Sequence, residues 1–392
     1  MSEAFDVVIV GGGVVGSAIA YFLAGDSGFR GRVAVVERDP TYRTASSALS
    51  GSSIRQQYST EINILLSRFG IGFLRQAGTL LEVAGEQPSI GLIEPGYLFL
   101  AGAEGLPILR ANHEFQRSMD VAVALLSPEE LAARFPWMSM AGVRAGSLGL
   151  ANEGWFDGYG LLQAFRRKAR SLGATYIEGN VVALAREGAT VDAVILADGR
   201  RLACGTVVNA AGPRARSVAE MAGVTLPVEA RRRSVFVLDV RASLPGCPLV
   251  IDVSGVWFRP EGAYFLCGVS PPEERDPENF ELEVEHHLFE ETIWPALAAR
   301  VPAFEAVKVV SAWAGHYEMN VFDHNGIVGP HPDLANMICA NGFSGHGLQQ
   351  SPAVGRGVAE WIVHGGYRSL DLTPLSPARI AANRPLRELN II

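Results

Sequence analysis

Three glycines and one acid near the start of the chain have the types and spacing to hold a dinucleotide. Gly11, Gly13 and Gly16 stand at G-x-G-x-x-G spacing, and Glu37 closes the next apolar run, Val33 to Val36. A glycine at position 11 permits a tight turn, one at 13 lets the backbone approach a pyrophosphate, and one at 16 lets helix and strand pack closely. The carboxylate of Glu37 can accept hydrogen bonds from an adenosine ribose, and its charge argues against a 2′-phosphate there. These residues act only if a strand delivers them to a turn that opens a helix. Asp6-Val7-Val8-Ile9-Val10 supplies that strand, and Val14 and Val15 begin the helix, whose N-terminus presents free N–H groups and partial positive charge to phosphates. A glycine-rich turn in an ordinary α/β unit would leave Glu37 without a reason.

Composition bounds what surrounds this unit. With 392 residues, 48% hydrophobic and 19% charged, the chain can fill the cores of two domains. A net charge of −8 leaves no electrostatic footprint for nucleic acid. The densest basic run is Arg231-Arg232-Arg233, readable as a solvated strand end or as a functional patch. The lysines are Lys168 and Lys308, so few side chains could serve as a catalytic amine. Cys204, Cys247, Cys267 and Cys339 are widely spaced, which predicts reduced core thiols in a cytoplasmic protein and neither a disulfide frame nor a metal site. No apolar run reaches membrane-spanning length. The run Val7 to Val15 has an acidic flank, Glu3 and Asp6, and no cleavage site follows, so it reads as the first strand and not as a signal peptide.

Further elements follow from periodicity and caps. A helix is expected from about Glu61 to Gln76, and another after Ser127-Pro128-Glu129-Glu130, where Ser127 can cap and Glu130 can complete a capping box. Trp155-Phe156-Asp157-Gly158 leads into an amphipathic helix, Tyr159 to Ser171. Strands are expected over 174–177, 181–185 and 191–196, and then Thr206 to Asn209 runs into the turn Ala210-Ala211-Gly212. Arg233–Val240 and Val256–Val269 read as strands of a largely antiparallel sheet, and the last module is a strand, Asn336 to Ala340, a glycine turn, and a helix from Pro352 to Trp361. The fold class is therefore mixed α/β: a Rossmann-type nucleotide domain made of residues 1–88, 145–226 and 325–392. A largely antiparallel substrate domain, 89–144 and 227–324, is inserted between its pieces.

Three elements together resemble the glycine/sarcosine/D-amino-acid oxidase family of FAD enzymes over essentially the full length. They are the N-terminal fingerprint, Val207-Val208-Asn209-Ala210-Ala211-Gly212, and Gly342-Phe343-Ser344-Gly345-His346-Gly347. Within it, Trp155-Phe156-Asp157, the stretch Asp323 to Pro332 and Gly345-His346-Gly347-Leu348-Gln349-Gln350 are similar to the mitochondrial branch linked to respiratory complex I assembly. The resemblance implies FAD instead of NAD. It assigns to the cofactor Gly11, Gly13, Val14, Val15, Gly16, Glu37, Arg38, Ser46, Ser47, Val181, Ala211, Gly212, Gly342, Gly345, His346, Gly347 and Leu348. No histidine precedes His113, and Gly315 stands where sarcosine-oxidase-like relatives carry a flavin-linked cysteine, so the FAD is expected to be non-covalent.

Oxidising a C–N bond with a flavin needs a neutral amine held with its Cα–H aimed at the ring, so the protein mainly supplies orientation. An amino-acid substrate also needs a cation for its carboxylate, a role arginine fills bidentately. The resemblance puts Arg55 there, with Arg233 as second candidate, Tyr317 as an active-site tyrosine and Trp257 as a pocket wall. Gln349 replaces a lysine that helps hold the substrate carboxylate, and the strand Tyr264-Phe265-Leu266-Cys267-Gly268 lacks the lysine that promotes oxygen reaction in sarcosine-oxidase-like enzymes. The implied activity is oxidation of an amino acid or N-substituted glycine to an imine that hydrolyses to amine and oxo acid. Oxygen, giving hydrogen peroxide, is the favoured acceptor. A dehydrogenase passing electrons to a quinone or electron-transfer protein, and a non-catalytic flavoprotein assembly factor, are the alternatives. The partner is a small molecule, and a homodimer is left open.

Overall fold

The computed structural model describes residues 3–389; residues 1–2 and 390–392, at the ends of the expected nucleotide domain, lie outside the described residues. The chain opens with β1 (Glu3–Val10), helix α1 (Val14–Gly25) and β2 (Val33–Glu37). After β3 (Ser53–Ile54) and helix α2 (Glu61–Arg75) come β4 (Tyr97–Ala101), β5 (Val123–Leu126), β6 (Ala145–Gly149) and β7 (Gly154–Trp155). The helix Gly158–Ser171 precedes β8 (Thr175–Glu178), β9 (Val181–Glu187), β10 (Thr190–Leu196) and β11 (Arg201–Asn209). Then follow β12 (Val228–Asp239), β13 (Leu249–Ile251), β14 (Trp257–Glu261), β15 (Tyr264–Gly268), β16 (Lys308–Asn320), β17 (Ile327–Pro330) and β18 (Met337–Asn341). The helix Gly347–His364 is the last long element.

Two large sheets carry the molecule. The first runs β17-β18-β11-β1-β2-β8, with β10 and β9 continuing from β11. Its centre, β18-β11-β1-β2-β8, is parallel, so β1 and β2 are buried on both faces and read as near-continuous apolar runs. The second sheet runs β16-β12-β15-β14-β13-β4-β6-β5 and is antiparallel except where β13 meets β4. No described helix is long and apolar enough to cross a membrane.

Three expectations need correction. The boundary at residue 145 falls early: β6 pairs with β4 and β5 in the second sheet, because Gly146 and its neighbours pack under Leu98 and Leu100. Val256–Val269 is two strands, separated by a turn at Gly262, whose φ of +59° glycine adopts without steric cost. The last helix starts at Gly347 instead of Pro352. Proline inside a helix leaves a carbonyl one turn back without its N–H. Here the hydroxyl of Ser351 donates to the Leu348 carbonyl at 2.9 Å, so the helix continues through.

The first glycine turn is fixed by backbone contact. A Cβ at Gly16 would lie 1.9 Å from the Gly11 carbonyl oxygen, and one at Gly11 would lie 2.3 Å from the Ala210 carbonyl oxygen. Helix α1 is buried almost all round, between the helices Gly158–Ser171 and Gly347–His364, and meets the latter where Gly355 faces Ala18. Gly16→Ala is therefore expected to destabilise the protein by about 2 kcal/mol or more, since neither backbone can give way. Urea midpoints of the two proteins measure this, and an unchanged midpoint would refute the close approach.

Candidate active site

One cavity of about 650 Å³ runs between the two sheets, a volume in the range of small-molecule and cofactor sites. The first turn (Gly11, Gly13, Val14, Val15), Glu37 and Arg38, the loop holding Ser46 and Ser47, Val181, Ala211 and Gly212, and finally Gly345, His346, Gly347 and Leu348 all line it. Of the expected cofactor residues, Gly16 and Gly342 stand behind the wall. Gly16 sets the packing of α1, and Gly342, at φ +70°, turns the chain between β18 and the last helix. Arg55, Arg233, Trp257, Tyr317 and Gln349 line the same cavity, although they come from five separate segments.

The wall suits a long polar ligand. Glu37 already has local work: its carboxylate accepts from the Gly12 amide at 2.8 Å and the Asp39 amide at 2.9 Å, which braces the first turn against β2. The amide of Val14 donates to the Ser47 hydroxyl at 3.1 Å. The hydroxyls of Tyr42 and Ser46 are buried in this wall without a hydrogen-bond partner, which is costly unless a ligand supplies one. The small-residue loop 44–53 is held against the second sheet by Arg259 donating to the Gly51 carbonyl at 2.9 Å and Trp313 donating to the Leu49 carbonyl at 2.9 Å. Gly315 lines the cavity and a Cβ there would meet the Leu49 carbonyl oxygen at 2.8 Å, so that position has no room for a side chain. Among the described residues no cysteine or lysine lines the cavity, and no group of His, Cys, Asp and Glu could hold a metal ion.

At the other end Arg55 is buried beneath His346. Its Nη2 lies 3.1 Å from His346 Nε2, its Nη1 donates to the Gln57 carbonyl, and its guanidinium sits 4.0 Å from the Tyr58 ring centroid. Arginine only donates, so His346 Nε2 accepts and the ring proton belongs on Nδ1. Burial, and then the Arg55 charge, push the imidazole down to about 3, so His346 stays neutral at ordinary pH. His346 is expected at the cofactor from the sequence, and its ring meets the arginine. Gln349, expected beside a substrate carboxylate, is committed elsewhere: its Oε1 accepts from the Arg55 amide at 2.9 Å and its Nε2 donates to the Tyr58 hydroxyl. These bonds tie its side chain to the Arg55 backbone and to Tyr58.

Arg233 is paired already. It grips Asp276 with both terminal nitrogens, at 2.8 and 2.6 Å, and lies 5.0 Å from the Tyr317 ring centroid. Tyr317 in turn backs the third turn, where a Cβ at Gly345 would lie 2.5 Å from its ring. Trp257 is half-buried on β14 and packs on Gly268 and Gly51.

Two acids were not foreseen, Glu153 buried and Glu318 half-buried. Glu153 accepts from the Gln56 and Gln57 amides at 2.7 and 3.0 Å and from Gln57 Nε2 at 2.8 Å, holding the segment that carries Arg55. Burial raises it to about 7. Glu318 lines the cavity between the second and third turns and accepts from the Gly342 amide at 3.2 Å. Burial raises it to about 8, against the pull of the Gly342 and Phe343 amides. Glu318 adjoins Tyr317 on a strand whose burial does not alternate, so the sequence carried no signal for it.

The sequence matches the family described as DAO, FAD dependent oxidoreductase, over residues 6–361. It is 45% identical over 426 aligned residues to FAD-dependent oxidoreductase domain-containing protein 1 of Xenopus laevis, covering 100% of this chain and 85% of that one. The fold is similar to that of L-proline dehydrogenase from P. horikoshii, with a TM-score of 0.86 and 25% identity over 98% of this chain and 100% of that one. It is also similar to glycine oxidase from Geobacillus kaustophilus, with a TM-score of 0.82 and 25% identity over 96% and 98%.

The raised Glu318 has a stability consequence. The folded protein keeps a proton up to about 8 that the unfolded chain releases above about 4.3, so this group's contribution to stability falls as pH rises through that window. Glu318→Gln removes the titration. Its urea midpoint is expected to gain on the wild type between about pH 5 and about pH 9. A constant offset between the two proteins over that range would show that Glu318 is ionised in the fold.

Proposed function

Because the chain belongs to the DAO family of FAD dependent oxidoreductases, we propose that it oxidises the C–N bond of an amino acid or N-substituted glycine to an imine, which water hydrolyses to an amine and an oxo acid. One observation carries the reading. The turn Gly345–Gly347 at the start of a long helix, the arginines Arg55 and Arg233, and the aromatic side chains of Tyr97, Trp257 and Tyr317 all line one cavity.

FAD, when bound, would accept the two electrons of the substrate Cα–H bond, the N–H hydrogen leaving as a proton. The chain's own residues do the rest. Gly11, Gly13 and the N-terminus of α1 suit the pyrophosphate, and Glu37 suits the adenosine ribose. The first turn of the helix Gly347–His364 brings its amides and partial positive charge to the cavity, which favours negative charge arising there. Arg55, held by His346, Gln349 and the Gln57 carbonyl, is the cation for a substrate carboxylate, and its fixed frame supplies orientation. Tyr97, Leu249, Ile251 and Trp257 give the substrate side an apolar wall that excludes water.

The electron acceptor divides two readings. An oxidase uses oxygen and gives hydrogen peroxide. A dehydrogenase passing electrons to a quinone or electron-transfer protein is favoured by the cavity wall, which among the described residues holds no lysine to stabilise reduced oxygen.

The test is anaerobic bleaching of the flavin's visible absorption against a panel of amino acids and N-substituted glycines, followed by air or an artificial acceptor. Rapid bleaching by one class is expected; recovery in air marks an oxidase, and recovery only with the artificial acceptor marks a dehydrogenase. No bleaching by any member would sink the amino-acid reading. Arg55→Lys should keep FAD bound and lower kcat/KM by about a hundredfold, the cost of a misplaced reactant. Acid precipitation should release the flavin into the supernatant; colour retained in the pellet would refute non-covalent binding.

A further inference from the structure

The segment 270–285 forms a strap between β15 and the helical stretch that begins at His286. Ser270, Phe280 and Leu282 on it line the cavity, so the strap closes part of the substrate side. Apart from one short turn, Glu273–Arg275, it has no regular structure of its own and is fastened to β12 and its surroundings by side chains. Asp276 is forked by Arg233, Glu285 meets Arg232 at 2.9 Å, and Glu278 meets Arg216 at 3.5 Å. The Asn279 amide donates to the Ala230 carbonyl at 2.8 Å. Arg232 and Arg233 of the β12 run thus anchor the strap and are not a solvated strand end, while Arg231 pairs with Glu229 on its own strand.

The Arg233–Asp276 pair differs from the other two. Its side chains are 9% and 11% exposed, against 27% and 36% for Arg216 and Glu278, and Arg233 alone of the three arginines lines the cavity. Asp276 takes the end of the guanidinium formed by Nη1 and Nη2, while Arg233 Nε is buried without a hydrogen-bond partner. Arg233 lines the cavity, so an incoming carboxylate meets the same guanidinium that Asp276 holds from the strap. One Nη1–Nη2 pair cannot serve two bidentate carboxylates, so a ligand carboxylate that takes that end displaces Asp276 from it.

Resting on the amino-acid reading above, with Arg55 as the first cation of the cavity and Arg233 as the second, we propose that Asp276 is an internal stand-in for a ligand carboxylate on Arg233. A ligand carboxylate trades places with it and unlatches the strap 270–285. Charge is conserved in the exchange, since one carboxylate replaces another on the same cation. A ligand without a carboxylate cannot make the trade and leaves the strap latched.

The FAD-loaded protein tests this with benzoate and its neutral isostere benzamide, read by perturbation of the flavin spectrum and by hydrogen exchange across residues 272–285. Benzoate is expected to perturb the flavin and speed exchange at the Asn279 amide, and benzamide to do neither. Asp276→Asn removes the competing charge, so benzoate should bind about tenfold more tightly, as expected when the competent fraction of the site rises. Unchanged or weaker benzoate binding by that variant overturns the exchange, as does strap protection in the wild type or failure of benzoate to bind either protein. If the variant does not yield folded holoprotein, the wild-type comparison of benzoate with benzamide decides alone. A strap that responds to benzoate while no amino acid bleaches the flavin keeps the latch and removes the amino-acid reading. Bleaching with an unmoved strap does the reverse.

Discussion

Backbone-to-backbone approach at the first turn is the constraint on which the rest of the structure depends. The Gly11 peptide is caught between helix α1, through Gly16, and the turn after β11, through Ala210, with no space for a single Cβ on either side. That fixes α1 against β1 and brings the second turn beside the first, so one cavity can be lined by both. The parallel pairing of β11 with β1 on one side and β18 on the other then delivers the third turn to the same edge. Ligand sites in open parallel sheets lie beyond the carboxyl ends of the strands because the turns gather there.

The second sheet supplies the opposite wall and fastens the loop 44–53 that spans the two. Arg259 and Trp313 reach across from that sheet to carbonyls of the loop, so the loop is positioned without a core of its own. Its small polar residues cannot bury enough apolar surface to order themselves, and their hydroxyls are left to brace the first turn or to face a ligand. Order in this loop is borrowed from both layers.

Charge at the site is handled by local commitment. Arg55 and Arg233 are both deep, and a buried cation is tolerated only with hydrogen-bonding partners around it. Arg55 meets a neutral histidine and a backbone carbonyl; Arg233 meets a carboxylate. A cation faced by a carboxylate must lose that partner before it can bind another at the same nitrogens. Buried Glu153 and half-buried Glu318 take backbone amides as partners, yet loss of water around them shifts both toward the neutral form.

What the sequence determined by itself were features written in short windows. The glycine spacing with Glu37 follows from which residues a turn, a helix terminus and a ribose tolerate, and the capping box at Ser127 and Glu130 is local for the same reason. The resemblance then linked distant segments into one family pattern, which the match over residues 6–361 bears out. Tertiary structure alone decided which partners those residues have. Arg233 and Asp276, Arg55 and His346, and Glu318 and the Gly342 amide are separated along the chain and meet only in the folded molecule. The start of the last helix was likewise undecided in sequence, because proline reads as a boundary until a neighbouring serine is seen to take the carbonyl it strands. Local rules fix what a residue can do, while packing fixes what it is opposite, and at this site the chemistry lies in the second.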